Sequence, residues 1–186
     1  MTRIIAGSAR GRRLRVPEVG TRPTSDRARE ALFSALAAAD SLEDARVLDL
    51  YAGSGALGIE AVSRGAASAV LIENDKAAAQ VCRENARVVA DGAVRVIVGD
   101  VSRLVAAPPA EAGFDLAFLD PPYEMTNADV AKVLTDLAAN GWLASGADLV
   151  VERTKGADFD WPPGFDGLRR RDYGGTVLWY GRRAGD

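Results

Sequence analysis

The stretch Val47-Leu48-Asp49-Leu50-Tyr51-Ala52-Gly53-Ser54-Gly55-Ala56-Leu57-Gly58-Ile59-Glu60 constrains this chain more than any other. Four β-favouring, mostly apolar residues run into a glycine turn, and Ala56–Val62 then reads as a helix. The order strand, close-approach loop, helix N-terminus aims bare backbone amides at a ligand. Gly53-x-Gly55-x-x-Gly58 fits the dinucleotide fingerprint, with Glu73 at about the expected 20 residues further on. Taken alone, the motif fits a nicotinamide cofactor and another adenosyl ligand equally well.

Asp49 argues against the dinucleotide. A pyrophosphate would sit at the helix N-terminus, drawn by free amides and the positive dipole end. An acid at the end of the preceding strand would face that anion. At about 4 Å, two like charges repel by roughly 4 kcal/mol at an effective dielectric of 20. The same acid suits a ligand that carries a cationic ammonium and sulfonium, which is S-adenosylmethionine. The plain alternative is a tight strand–helix turn that Asp49 merely caps.

Other chemistries are excluded by what the chain lacks. Among its 186 residues there is no histidine, so Ser-His-Asp and Cys-His catalysis, histidine zinc sites and a histidine base are out. A single cysteine, Cys82, cannot form an internal disulfide, and its apolar helical setting predicts a buried core residue. No apolar run approaches a membrane span, and no signal-like segment opens the chain, so a soluble, cytoplasmic protein without a metal is expected. The length suits one α/β domain with a small appendage.

The formal charge of −3 hides an asymmetry. Residues 1–30 hold Arg3, Arg10, Arg12, Arg13, Arg15, Arg22, Arg27 and Arg29 against Glu18, Asp26 and Glu30, a net of +5, so the remainder nets −8. A basic arm on an acidic body suggests a polyanion met by one end of the molecule. The competing explanation is a solvated hairpin whose arginines guard an edge strand.

In chain order, Thr2–Ala6 and Arg13–Val16 read as strands of a basic hairpin, and Pro17 to Pro23 as a connector. Thr24, Ser25 and Asp26 are candidate caps of a helix whose stripe is Ala28, Ala31, Leu32, Ala35, Leu36 and Ala39. After the central unit come a strand at Ala69–Glu73 and a helix at Asp75–Val89 with Ala78, Val81, Cys82 and Val89 inward. Strands follow at Val94–Val98 and Phe114–Leu119, a helix at Asn127–Ala139, and a strand at Asp148–Glu152. Runs around Leu168–Asp172 and Thr176–Tyr180 flank Tyr173-Gly174-Gly175 as an antiparallel hairpin. Residues 1–23 thus form an extension and 24–186 a doubly wound, Rossmann-like α/β domain, mostly parallel with an antiparallel edge.

Ligands bind such sheets at the carboxyl ends of the strands. Acids stand at four successive ends: Asp49, Glu73, Asp100 and Asp120. Glu73 can accept both ribose hydroxyls, and Asp100 the adenine amine, with the Val101 amide donating to a ring nitrogen. Gly53 and Gly55 let the backbone approach the methionine portion. Each acid could instead be a loop cap.

Asp120-Pro121-Pro122-Tyr123 is the most specific signal. Two prolines lock the backbone after a strand and leave carbonyls with a fixed direction. An exocyclic base amine is a poor nucleophile because its lone pair is delocalised into the ring. Asp120 and the Pro121 carbonyl can accept its two hydrogens and favour a tetrahedral nitrogen facing the methyl group. Tyr123 offers a face for a flipped-out base, worth roughly 1–3 kcal/mol. The other possibility is a Pro-Pro turn leaving a strand.

These residues resemble a class I methyltransferase of the amino-methylating type. Arg3-Ile4-Ile5-Ala6-Gly7-Ser8-Ala9-Arg10-Gly11-Arg12, Arg22-Pro23-Thr24-Ser25-Asp26-Arg27 and Leu57–Gly65 resemble, more narrowly, the RsmD family, nearly end to end. That resemblance implies methylation of a guanine N2 amine in bacterial 16S rRNA within the 30S subunit, by a monomer. It also implies that Thr24, Ser25 and Arg27 fold over the methionine end of the cofactor, that Tyr51 and Asn74 belong to the cofactor site, and that Pro122 completes the catalytic tetrapeptide. Arg3, Arg10, Arg12, Arg13 and Arg15 are the expected RNA contacts. A methyltransferase for adenine N6, cytosine N4 or protein glutamine, and a non-catalytic RNA-binding module, stay open. In calorimetry the chain should bind S-adenosylmethionine and not NAD, and Glu73→Ala should weaken the cofactor by about 1.5–3 kcal/mol. Tight NAD binding without a response to S-adenosylmethionine would sink the reading of Asp49.

Overall fold

A computed structural model describes residues 2–17, 26–111 and 113–185. Thr24 and Ser25, the expected caps, lie outside the described residues, as do Glu18 and Arg22. The apolar runs form strands β3 (Arg46–Leu50), β4 (Ser68–Glu73), β5 (Val94–Val98), β6 (Phe114–Leu119) and β7 (Leu143–Thr154). With β8 (Phe165–Tyr173) and β9 (Thr176–Arg183) they make one sheet in the order β5-β4-β3-β6-β7-β9-β8. Neighbours from β5 to β7 are parallel, while β9 runs antiparallel to β7 and β8.

Helices cover both faces because the parallel strands are apolar on both. Helices α1 (Asp26–Ala38), α2 (Ala56–Ser63) and α3 (Lys76–Ala86) contribute Leu32, Phe33, Leu36, Ile59 and Cys82 to one buried layer. Helices α4 (Val101–Val105) and α5 (Asn127–Ala139) contribute Val101, Val105, Val130, Val133, Leu134 and Leu137 to the other. Helix α5 starts at a capping box in which Thr126 accepts from the Asp129 amide and Asp129 reaches back. Among the described residues, no helix is long and apolar enough to cross a membrane.

Two helices differ from expectation and one is additional. The stripe of α1 is rotated: Ala28, Arg29, Leu32, Phe33 and Leu36 are buried, while Ala39 lies beyond the helix and is exposed. Alanines carry too little apolar area to choose a face, whereas Phe33 packs edge-on against Phe118 at 5.8 Å between centroids. Helix α3 ends at Ala86, short of Val89, and its inward row runs Ala78, Ala79, Cys82, Asn85, with Val81 and Val89 only half-buried. The short helix α4 was not anticipated at all; Asp100 caps it, accepting from the Arg103 amide at 2.9 Å.

The N-terminal hairpin pairs over fewer residues than the sequence suggests. Only β1 (Thr2–Arg3) and β2 (Arg13–Leu14) are bonded as strands. The next backbone groups are taken by the body instead. Glu60, fully buried, accepts from the Ile5 amide (2.8 Å), the Ala6 amide (3.0 Å) and Arg64 Nε (2.7 Å). Ser63 accepts from the Ala9 amide and donates to the Ala6 carbonyl. Asn85 accepts from the Arg15 amide and donates to the Arg15 and Ser54 carbonyls, each at 2.8 Å. Gly7 permits this seating: a Cβ there would fall 1.7 Å from the Ser63 carbonyl oxygen. Ile4, Ala9 and Leu14 join the buried layer beneath.

Glu60→Ala would strand two half-buried amides and the Arg64 guanidinium. Breaking a buried charge pair from one side costs about 3–5 kcal/mol. Thermal unfolding should therefore show a fall of roughly 6–20 °C at this chain length. Hydrogen exchange should show Ile5 and Ala6 losing protection first; unchanged exchange there would contradict the clamp.

Candidate active site

Strand order reverses around β3, whose chain continues to β4 on one side while β6 returns on the other. Such a switch point opens a crevice at the carboxyl ends of the strands. Here it encloses about 410 Å³ and is walled by the glycine loop, the strand-end acids and the Asp120–Tyr123 turn. That volume lies in the range of small-molecule sites.

Asp49 faces α2 and is 2% exposed. Its carboxylate accepts from the Gly58 amide at 2.8 Å. Gly55, the residue before α2, sits at φ 76° and has no side chain to cap with, so Asp49 does the capping from the neighbouring strand. Gly58 makes room, since a Cβ there would lie 2.8 Å from Leu71 Cδ1 and 3.2 Å from Asp49 Oδ2. Burial pushes the Asp49 carboxyl up to about 7; the Gly58 bond opposes this and the charge on Glu73 adds to it.

Glu73 ties the glycine loop to the end of β4. One oxygen accepts from the Gly53 amide and the other from the Asp75 amide, both at 2.8 Å. A carboxylate has about four acceptor sites, so each oxygen retains capacity for a hydroxyl. Cys82 is buried as expected and donates from Sγ to the Gly53 carbonyl. Burial raises its thiol, with Asp49 and Glu73 adding to the shift.

Asp120 stands half-buried after β6. Burial raises its carboxyl well above the usual range, and the charges of Glu152 and Asp49 push the same way. Glu152, on β7, accepts from Thr176 Oγ1 at 3.1 Å. The acids at the ends of β4, β3, β6 and β7 thus form a row in which Glu73 adds to the rise at Asp49, and Asp49 and Glu152 add to the rise at Asp120. Pro121 is buried, Pro122 exposed, and Tyr123 is 61% exposed at the rim.

Tyr51 departs from ordinary backbone geometry. Its φ of 63° is left-handed in a bulky residue, a conformation that costs about 1–3 kcal/mol and clusters at ligand sites. Its hydroxyl donates to Met125 Sδ, and burial pushes the phenol up to about 12.

Asp49, Tyr51, Gly53, Glu73, Asn74, Asp100, Val101 and Asp120 to Tyr123 all line the one crevice. Gly55 does not; its α-carbon faces Leu71, Ile59 and Cys82. Arg27 is exposed and borders a separate cleft of about 380 Å³ with Arg3 and Arg10. Arg12 and Arg13 are exposed, and Arg15 is ion-paired with Glu84.

The crevice also has walls that the sequence did not announce: Thr2 and Val16, from the two ends of the hairpin, and Arg29. Arg29 is 1% exposed and is the sole cation among the described lining residues. Its Nη2 donates to Thr2 Oγ1, the Arg3 carbonyl and Asp26, while Nε has no partner among the described residues. A hint existed in its spacing, four residues before Phe33 and three before Leu32.

A parallel sheet with this switch point, an antiparallel edge pair and a glycine loop under strand-end acids is the class I methyltransferase fold. A solved structure described as a putative methyltransferase from Escherichia coli superposes with a TM-score of 0.87 at 36% identity, covering 100% of this chain and 99% of that one. The family described as conserved hypothetical protein 95 matches residues 2–182. Ribosomal RNA small subunit methyltransferase D of Escherichia coli strain K12 is 42% identical over 151 residues, 81% of this chain and 73% of the relative. Its namesake from Haemophilus influenzae is 36% identical over 175 residues, 92% of this chain and 89% of the relative. The chain belongs to this family, the RsmD family.

The raised Asp49 carboxyl sets a pH dependence. A cationic ligand binds the ionised form, so affinity should fall as pH drops below about 7, by at most about tenfold per pH unit for one proton. Because the folded-state value lies above the ordinary one, Asp49 favours folding at low pH and opposes it progressively between about pH 4 and 7. Asp49→Asn should therefore match or exceed wild-type melting temperature at pH 8 while losing both affinity and its pH slope. Calorimetry and thermal melts between pH 6 and 8 check this; a destabilised variant with wild-type affinity would refute it.

Proposed function

We propose that this chain transfers a methyl group from S-adenosylmethionine to the exocyclic N2 amine of a guanine in bacterial 16S rRNA, presented by the assembled small subunit. Family membership makes it an S-adenosylmethionine-dependent rRNA methyltransferase. The guanine N2 and the assembled subunit are the finer reading. The observation that carries it is Asp120-Pro121-Pro122-Tyr123 at the lip of a crevice of strand-end acids, beside a basic hairpin.

The residues present fit such a cofactor. Neighbouring carboxylates in a low-dielectric crevice repel one another, which a cationic ligand relieves and a pyrophosphate aggravates. Asp49 would receive the ammonium, Glu73 the ribose hydroxyls, and Asp100 with the Val101 amide the adenine edge. Gly53 keeps the loop close to the methionine chain. When bound, S-adenosylmethionine supplies a methyl group on a positively charged sulfur.

Asp120 and the Pro121 carbonyl accept the two amine hydrogens and hold the nitrogen lone pair toward the methyl group. The same carboxylate can then take the proton that the methylated nitrogen sheds. Exposed Tyr123 provides a stacking face for the displaced base. Orientation supplies most of the acceleration. Arg10, Arg12 and Arg13 meet phosphates away from the crevice, which positions the enzyme without reading sequence. The enzyme acts as a metal-free monomer in the cytoplasm.

Tritiated transfer to unmethylated small subunits, followed by nucleoside analysis, tests the reading. N2-methylguanosine is expected, with naked 16S rRNA a poorer substrate than the subunit. Asp120→Ala should keep cofactor affinity and lose at least about 100-fold in rate, a typical loss for a proton-handling group. The triple change Arg10→Ala, Arg12→Ala and Arg13→Ala should abolish RNA methylation while cofactor binding persists. Label on adenine N6, or an Asp120→Ala protein of wild-type rate, would overturn the assignment.

A further inference from the structure

Arg169, Arg170 and Arg171 follow one another on β8, the outermost strand of the sheet, and all three are exposed. Successive residues of a strand face opposite ways. Arg169 and Arg171 stand opposite Tyr180 and Leu178, which belong to the buried layer shared with α1, α2, α3 and the hairpin. Arg170 stands opposite Trp179 on the other face and is ion-paired with Asp172 at 3.0 Å. Arg169 and Arg171 have no carboxylate partner among the described residues. Arg169 instead lies 4.4 Å from the centre of the Tyr180 ring. Burial pushes the Tyr180 phenol up to about 12, Tyr173 adds to the rise, and Arg169 and Arg171 both oppose it, so the two charges converge on one ring.

Exposed charge can guard an edge strand against stray pairing. A guard needs no particular face and no particular height along the strand, whereas these arginines have both. Arg171 pairs with Leu178, Leu178 with Glu152, and Glu152 follows Val151, the partner of Leu119. Asp120 is therefore level with Arg171, three strands in. At about 4.8 Å between strands, their backbones are roughly 14 Å apart. Helices α2 and α3, which seat the hairpin, pack on β3, β4 and β5, while β8 closes the opposite end of the sheet. Exposed arginines thus flank the crevice on both sides, on the same face of the sheet. A guanidinium fork matches phosphate geometry, and a ring beneath it holds its orientation. We infer that Arg169 and Arg171 bind backbone phosphates of the substrate RNA on the flank opposite the basic hairpin, so that the strand is held on both sides of the displaced base. This inference rests on the rRNA-methyltransferase reading above and names a second contact surface for the same substrate. The separation from Asp120 corresponds to a few nucleotides of one strand.

Methyl transfer to unmethylated small subunits and binding to protein-free 16S rRNA, each titrated with salt, test this on wild type, Arg169→Gln/Arg171→Gln, Arg171→Gln and Arg170→Gln. The double variant should raise the KM for subunits at least about 3-fold, with kcat and S-adenosylmethionine affinity unchanged. Its slope of log affinity against log salt should be shallower by about 1.4 to 1.8, the share of two phosphate contacts, and that of Arg171→Gln by about half as much. Arg170→Gln, which removes the same charge from the other face, should stay near wild type. A wild-type slope in Arg171→Gln would overturn the inference even if the double variant fails to fold. Equal losses in Arg170→Gln and Arg171→Gln would overturn it too, marking the three arginines as general edge charge. A loss on subunits that is absent on protein-free 16S rRNA would overturn the phosphate partner in favour of a ribosomal protein. Wild-type protein that methylates no small subunit would overturn the rRNA reading beneath it, a result distinct from an unchanged KM.

Discussion

The hydrogen bond from the Gly58 amide to buried Asp49 is the constraint on which the rest depends. It joins β3 to α2 at the one place where α2 lacks a capping side chain of its own. It requires glycine at position 58, because strand and helix approach too closely for a Cβ. It also keeps a carboxylate in a region that disfavours its charge, so the protein carries an electrostatic cost in the absence of a cation. Structure and ligand choice thus meet in one side chain. A neutral Asn could cap the helix; only an acid also calls for a positive ligand.

The hairpin is attached by the same logic of satisfying buried polar groups. Glu60, Ser63 and Asn85 are buried on α2 and α3, and each takes backbone groups that the two short strands leave unpaired. Asn85 also holds Ser54 of the glycine loop, and Arg29 reaches both the hairpin and the crevice. The basic arm is therefore continuous with the wall of the crevice. Its arginines point to solvent from a base that the crevice helps to hold.

Charge is distributed in two zones of opposite sign. The row Glu73, Asp49, Asp120, Glu152 lies along adjacent strand ends, and burial, with repulsion added to it, raises the carboxyls of Asp49 and Asp120. Outside it stand the exposed arginines of the hairpin, suited to phosphate. An RNA held by its backbone at the arm need offer only one base to the acids. Tyr123 at the rim is where those two environments meet.

The sequence by itself determined the alternation of strands and helices, the glycine loop, the four strand-end acids and the Asp120–Tyr123 turn. Each of these is local: a period, a turn chemistry or a fixed spacing read along the chain. Strands β5 and β6 and helix α5 fall where their apolar patterns end. Only the tertiary structure decided what partners the buried polar groups. Glu60 and Asn85 read along the chain as ordinary helix residues, and nothing nearby says that amides some 55 to 70 positions away will need them. Arg29 was hidden because alanines make a plausible stripe on either side of it, and the face of α1 was settled by Phe33 finding Phe118. Pairings over long sequence separation leave no periodic trace, since the burial that makes them obligatory exists only once the sheet and its helices have packed.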